Sequence, residues 1–175
     1  MPVNFEFKAR CLDIKKPEAL LAQLNPLFVG EDRQKDTYFN VSRGRLKLRE
    51  GLIENALIHY NRNNTADAKQ SEVLLYQHHP DSSLKQILDA ALGIKTIVDK
   101  KRRIYFIDNI KFHFDEVEGL GTFIEVEAID RDGTFCIEKL QEQCAFYQQL
   151  LGINKEDLIA DSYSDLLLVK KSSTA

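Results

Sequence analysis

A chain of 175 residues that is 43% hydrophobic fits one domain, large enough to bury a core and too small for two. Its formal net charge of −3 argues against a general nucleic-acid binder, which shows a basic excess on one face, so any basic site here is local. Cys11, Cys136 and Cys144 form no Cys-x-x-Cys pair, and no apolar leader or apolar run of about 18 residues occurs. Reduced thiols in a cytoplasmic protein are expected, without zinc, secretion or a membrane span.

Val3 to Leu12 alternates as a strand does, with Asn4, Glu6, Lys8 and Arg10 on one face and Phe5, Phe7 and Ala9 on the other. Pro17 suits a first helical turn, and Leu20, Leu21, Leu24 and Leu27 at helical spacing predict a helix ended by Gly30. Gln34 to Val41 reads as a strand turned at Ser42-Arg-Gly44 into Arg45-Leu-Lys-Leu-Arg49, which puts Arg45, Lys47 and Arg49 on one face. Glu50 to Asn55 is a turn and Ala56 to Arg62 a strand with Tyr60 and Arg62 on one face. Asn63 to Asp67 is then a loop and Ser71 to Gln77 a further strand.

Asp81 or Ser82 caps a helix that Gly93 ends. Ile97 to Asp108 is a strand whose four consecutive bases split by alternation, with Lys100 and Arg102 on the face of interest and the other two solvated. Lys111, His113 and Asp115 share one strand face and Phe112 and Phe114 the other. After the Gly119-Leu-Gly121 turn, Glu125 and Glu127 lie opposite Ile124 and Val126, which makes a hairpin with acids on one side. Ile137, Leu140, Cys144, Tyr147 and Leu151 mark a helix from Thr134 to Gly152. A short helix capped by Asn154 follows, then Asp161 to Leu168 and a polar tail, of which 172–175 is expected to be disordered.

About eight strands in hairpins and three or four helices define an α+β fold on an antiparallel sheet. Strands with ionic faces are arranged most economically as a closed barrel with those faces inward and the apolar faces outward under helices. Desolvating one unpaired charge costs several kcal/mol, so such an interior holds water, metal or an anionic ligand. Rival motifs carry less. Gly119-Leu-Gly121 lacks the third glycine and the helix of a dinucleotide loop, His78-His79 reads as a surface pair, and Arg43-Gly-Arg45 reads as a tight turn.

In order along nearly the whole chain, several segments resemble the CYTH superfamily of triphosphate tunnel metalloenzymes, and within it the class IV adenylyl cyclase-like branch. They are Asn4-Phe-Glu-Phe-Lys8, Leu46-Lys-Leu-Arg49, Tyr60-x-Arg62, Lys100-x-Arg102-x-x-Tyr105, Phe114 to Glu127 and Ser162-Tyr-Ser-Asp-Leu166. The resemblance implies one CYTH-like domain, an eight-stranded antiparallel tunnel that binds a triphosphate and Mg²⁺ or Mn²⁺. It places Lys8, Lys47, Arg49, Arg62, Lys100 and Arg102 on phosphates and Glu6, Glu125 and Glu127 on metal. Asp115 is then a further metal or water-orienting acid, and Arg10, Arg45 and Tyr60 match less specific positions. The family's first glutamate is Asn4 here, whose amide oxygen can ligate a hard cation but adds no negative charge.

Arginine forks and lysine point charges suit a triphosphate, and carboxylates to hold a divalent ion complete the parts for phosphoryl or nucleotidyl transfer. Two reactions use those parts. In a cyclase the ribose 3′-hydroxyl attacks the α-phosphorus of ATP and pyrophosphate leaves; in a triphosphatase water attacks a terminal phosphorus. A third reading is a nucleotide- or polyphosphate-binding module without chemistry. The partner is thus a nucleoside or inorganic triphosphate, with no nucleic acid or membrane, and a homodimer is compatible with the chain.

Overall fold

The computed structural model describes residues 3–62 and 69–173. Eight strands close into one antiparallel barrel in the order β1-β5-β4-β3-β2-β6-β7-β8. They are β1 Val3–Arg10, β2 Leu27–Phe39, β3 Arg45–Glu50, β4 Ala56–Arg62, β5 Lys69–Gln77, β6 Ile94–Ile107, β7 Ile110–Val117 and β8 Gly121–Asp130. The expected loop at Asn63 to Asp67 lies outside the described residues, as do Ala175 and Thr174 of the expected tail.

The outer face of β1, β7 and β8 makes the main core. Phe5, Phe7 and Ala9 join Phe112, Phe114, Ile124, Val126 and Ala128 beneath Leu21 of helix α1 (Lys15–Ala22) and Leu140, Cys144 and Tyr147 of helix α3 (Ile137–Leu150). Burying each phenylalanine contributes about 1.5–3 kcal/mol, so the phenylalanine side of each alternation is driven out under the helices and its charged side turns inward. A second cluster closes one end of the interior. There Tyr38, Ile58, Tyr60, Val98, Val117 and Phe123 meet Tyr163 at the start of helix α4 (Tyr163–Ser173).

Several expected boundaries move. Helix α1 stops at Ala22 because Asn25 takes a left-handed φ of 51° just before Pro26, and the chain then enters β2. Leu24 and Leu27, expected in the helical core, are exposed, and Gly30 lies within β2 at a register shift rather than ending a helix. Helix α2 (Ser82–Leu92) starts as expected, with the Asp81 carboxylate accepting from Ser83 N at 2.8 Å. The Asn154 segment is a single 3-10 turn, Lys155–Asp157, and Ser172 and Ser173, assigned to a disordered tail, extend α4. No helix among the described residues is long and apolar enough to cross a membrane.

Candidate active site

Inward side chains of all eight strands line a cavity of about 940 Å³. Ser162 and Tyr163 face it from the α4 end, while Ile53, Asn55, His78, His79, Phe106 and Arg131 lie along the rest of its lining. Among the described residues its lining carries seven Lys or Arg against five Asp or Glu side chains. That local basic excess exists within a chain of net charge −3.

On the β2-β3-β6 wall three cations converge on one carboxylate. Arg49 donates through Nε and Nη2 to the two oxygens of Asp36, both at 2.9 Å, Lys100 Nζ donates at 2.6 Å, and Lys47 Nζ lies at 3.4 Å. Burial alone would raise the Asp36 carboxyl, but Arg49, Lys100 and Lys47 outweigh it and hold it well below the carboxylate range. Burial, with Arg49, Arg102 and Lys47 nearby, pushes the Lys100 ammonium down to about 7 against the pull of Asp36. Arg49 Nη1 reaches Glu54 Oε2 at 2.9 Å, and Lys111 of β7 binds the other oxygen of Glu54.

The β1-β7-β8 wall is carboxylate-rich. Glu6 stands directly opposite Glu127 in the β1-β8 register, and Lys8 opposite Glu125. Like charges facing each other across a strand pair repel. Burial first, and then Glu6, push the Glu127 carboxyl up, while Asn4 Nδ2 donates to Glu127 Oε1 at 2.7 Å. Glu125 is held well below the carboxylate range despite burial, by Lys8, the His113 hydrogen bond and Arg102. Lys8 Nζ lies 3.6 Å from Glu125 and 4.3 Å from the centre of the Tyr163 ring. Burial and Arg102 push His113 down to about 3, so its imidazole is neutral, with Nδ1 3.3 Å from Glu125 Oε2.

The expected residues therefore divide. Asn4, Glu6, Lys8, Lys47, Arg49, Tyr60, Lys100, Arg102, Glu125 and Glu127 all line the one cavity. Asp115 does not; it is fully buried behind the wall, clamping Arg102 through both oxygens at 2.6 and 2.7 Å and accepting from the Tyr163 hydroxyl at 2.7 Å. A carboxylate held in this way orients an arginine from behind the lining. Arg10, the last residue of β1, is exposed and donates to Leu120 O at 2.8 Å. Arg45 pairs with Asp165 of α4 at 2.8 Å instead of facing the cavity. The side chain of Arg62 lies outside the description.

Asp36, Glu54, Lys111 and His113 are further lining residues. Asp36 keeps the alternation of its strand, and Lys111 and His113 were already legible on the inward face of the hairpin. Glu54 sits in a turn, where no periodicity marks a side chain's direction. His79 is exposed, as the surface reading has it, and His78 is half-buried; both also border the cavity, with His78 Nε2 3.3 Å from Arg49 O. The internal acids also offset the cation charge that a bare basic channel would leave uncompensated.

Glu6, Glu127 and Glu125 suit a hard divalent cation, since an ion between facing carboxylates relieves the repulsion that raises Glu127. Among the described residues no three His, Cys, Asp or Glu side chains could hold an ion unaided.

The interior of this closed antiparallel barrel is charged, with cations concentrated on one wall and carboxylates on the other. The chain belongs to the CYTH domain family, whose sequence model matches residues 3–163. It is 28% identical to a Methanocaldococcus jannaschii protein named "putative adenylate cyclase", over 94% of this chain and 98% of that one. Among solved structures it is similar to a conserved hypothetical protein of Pyrococcus furiosus, with TM-score 0.80 and 22% identity over 93% of this chain and 99% of that one. A Hippeastrum protein, described as a putative adenylyl cyclase with a dominant triphosphatase activity, matches with TM-score 0.64 and 14% identity over 98% and 96% of the two chains.

Proposed function

We propose that the protein is a divalent-metal-dependent enzyme acting on a triphosphate held in the barrel, and that its reaction is that of a class IV-type adenylyl cyclase, ATP to cyclic AMP and pyrophosphate. The observation that carries this reading is the convergence of Lys8, Lys47, Arg49, Lys100 and Arg102 with Glu6, Glu125 and Glu127 on one cavity. A triphosphate brings about four negative charges, the lining offers an excess of two positives, and one divalent ion accounts for the rest. A nucleoside fits the same space, because Ile58, Val73 and Leu75 make the β4-β5 side of the lining apolar, a surface that inorganic triphosphate does not need.

Lys47, Arg49 and Lys100 bind phosphate oxygens, and Asp36 keeps the Arg49 fork and the Lys100 ammonium aimed at one point. Arg102, clamped from behind by Asp115, and Lys8, beside Glu125, bind where the two walls meet. Mg²⁺ or Mn²⁺ held by Glu6, Glu125 and Glu127, with Asn4 beside them, would supply Lewis-acid neutralisation of phosphate charge. Neutral His113 holds Glu125 in place.

The same parts serve a triphosphatase, and the Hippeastrum relative's described activity supports that second reading. Incubation with ATP and, separately, tripolyphosphate, each with Mg²⁺ or Mn²⁺, distinguishes them. Cyclic AMP and pyrophosphate are expected. Orthophosphate alone reverses the order, and binding without product makes the barrel a non-catalytic module.

A further inference from the structure

Arg49 has two carboxylate partners of different character. Asp36 holds Nε and Nη2 and is sealed, with its side chain 2% exposed, whereas Glu54 holds Nη1 with a side chain 23% exposed at the edge of the cavity. Glu54 also reaches Lys111, three strands from Arg49 around the barrel, and accepts from Gln34 Nε2 at 3.0 Å. Its carboxylate therefore spans two cavity cations from separate strands.

The backbone beneath it is fixed. Asp32, fully buried, accepts from Leu52 N, Ile53 N and Glu54 N at 2.6, 3.0 and 2.9 Å, an anion cradled by the N–H groups of the β3-β4 turn. Any side chain at Gly51 would bring a Cβ within 2.6 Å of that carboxylate, so the turn admits only glycine there. The turn stays put, and the Glu54 side chain is the part that can leave by rotation into water.

Resting on the reading of the cavity as a triphosphate site, we propose that Glu54 is a displaceable internal anion. It occupies the seat between Arg49 and Lys111 that a substrate phosphate takes over, and it thereby sets how much charge a ligand must bring to enter. A triphosphate brings about four negative charges over three phosphoryl groups, so it outcompetes one carboxylate, whereas a single orthophosphate, at about −1.5 to −2, gains little over the carboxylate it must displace. Arg49 remains oriented during the exchange, because its bonds to Asp36 are not involved.

The test is calorimetric titration of the wild type, Glu54→Gln and Glu54→Asp with tripolyphosphate and with orthophosphate. Glu54→Gln should bind tripolyphosphate about tenfold more tightly and take up orthophosphate at concentrations the wild type ignores. Glu54→Asp, which keeps the charge but cannot span both cations, should tighten binding about threefold and serves if the Gln variant does not fold. Wild-type binding with unchanged or weaker binding in the variants overturns the inference alone and makes Glu54 a support for Arg49. Failure of all three proteins to bind overturns the triphosphate reading with it.

Discussion

The two walls of the barrel interior are written in the same alphabet and do opposite things. On the β2-β3-β6 side one sealed carboxylate, Asp36, lies among Lys47, Arg49 and Lys100. On the β1-β7-β8 side Glu6, Glu125 and Glu127 crowd together with Lys8 and Lys111. Removing the anion from the first wall leaves the Arg49 and Lys47 cations facing each other and strips Lys100 of the carboxylate that sustains its charge. Removing Glu127 from the second relieves its repulsion with Glu6. The same acid-to-amide change should therefore separate stability on one wall from activity on the other.

The largest effect is expected for Asp36→Asn. Breaking a buried ion pair by taking away one partner costs about 3–5 kcal/mol, because the other charge stays buried and uncompensated. Urea denaturation at neutral pH measures it as a shifted midpoint with unchanged slope. A loss below about 1 kcal/mol, the range of surface pairs, would mean that the cations relax into water and that the wall is not preorganised.

Glu127→Gln should cost little stability, since its carboxylate is pushed up by burial and by Glu6. Sign matters here: a raised carboxyl pKa means that the folded state holds its proton more firmly than the unfolded chain, so stability falls as pH rises through that range. The amide removes that slope. Turnover should drop about 10²- to 10³-fold as the charge that positions the cation is lost, in the range of deleting one electrostatic contact to the transition state. Full turnover in this variant would dissolve the distinction between the walls.

The barrel was legible because period-two alternation is strong where one face is sealed under a helix, as for Phe112 and Phe114 against Lys111 and His113. Lys47, Arg49, Lys100, Arg102, Glu125 and Glu127 could be assigned to the interior on that ground alone. What sequence could not tell was which inward residues face the cavity and which stand behind its wall. Asp115 alternates with His113 just as a lining residue would, yet the Arg102 fork and the Tyr163 hydroxyl from a distant helix consume both of its oxygens. Arg45 is on the right face too, but Asp165 captures it. The contacts of Asp115 with Tyr163 and of Arg45 with Asp165 span 48 and 120 residues, separations for which a single sequence carries no periodic signal.

The smallest expected effect is an exchange of protons at Lys100. Burial and three neighbouring cations push Lys100 down to about 7, so at about pH 8 much of the free protein carries it neutral. Between about 7 and its ordinary value near 10.4 the unfolded chain binds more protons at this position, so the stability of the free protein should rise with pH across that window. A triphosphate reverses the preference, because its negative charge favours the ammonium. Binding at about pH 8 should then take up a fraction of a proton, and affinity should fall by up to about tenfold per pH unit above 7. Phosphate ionisation, with its second pKa near 6, is nearly complete there and does not mask the trend. Titration in two buffers of different ionisation enthalpy reads the uptake directly. It should vanish near pH 6, where Lys100 is already charged, and in Lys100→Met at every pH. Uptake that persists in Lys100→Met would move the titrating group to the carboxylate wall, where Glu127 is the group whose affinity for protons is raised.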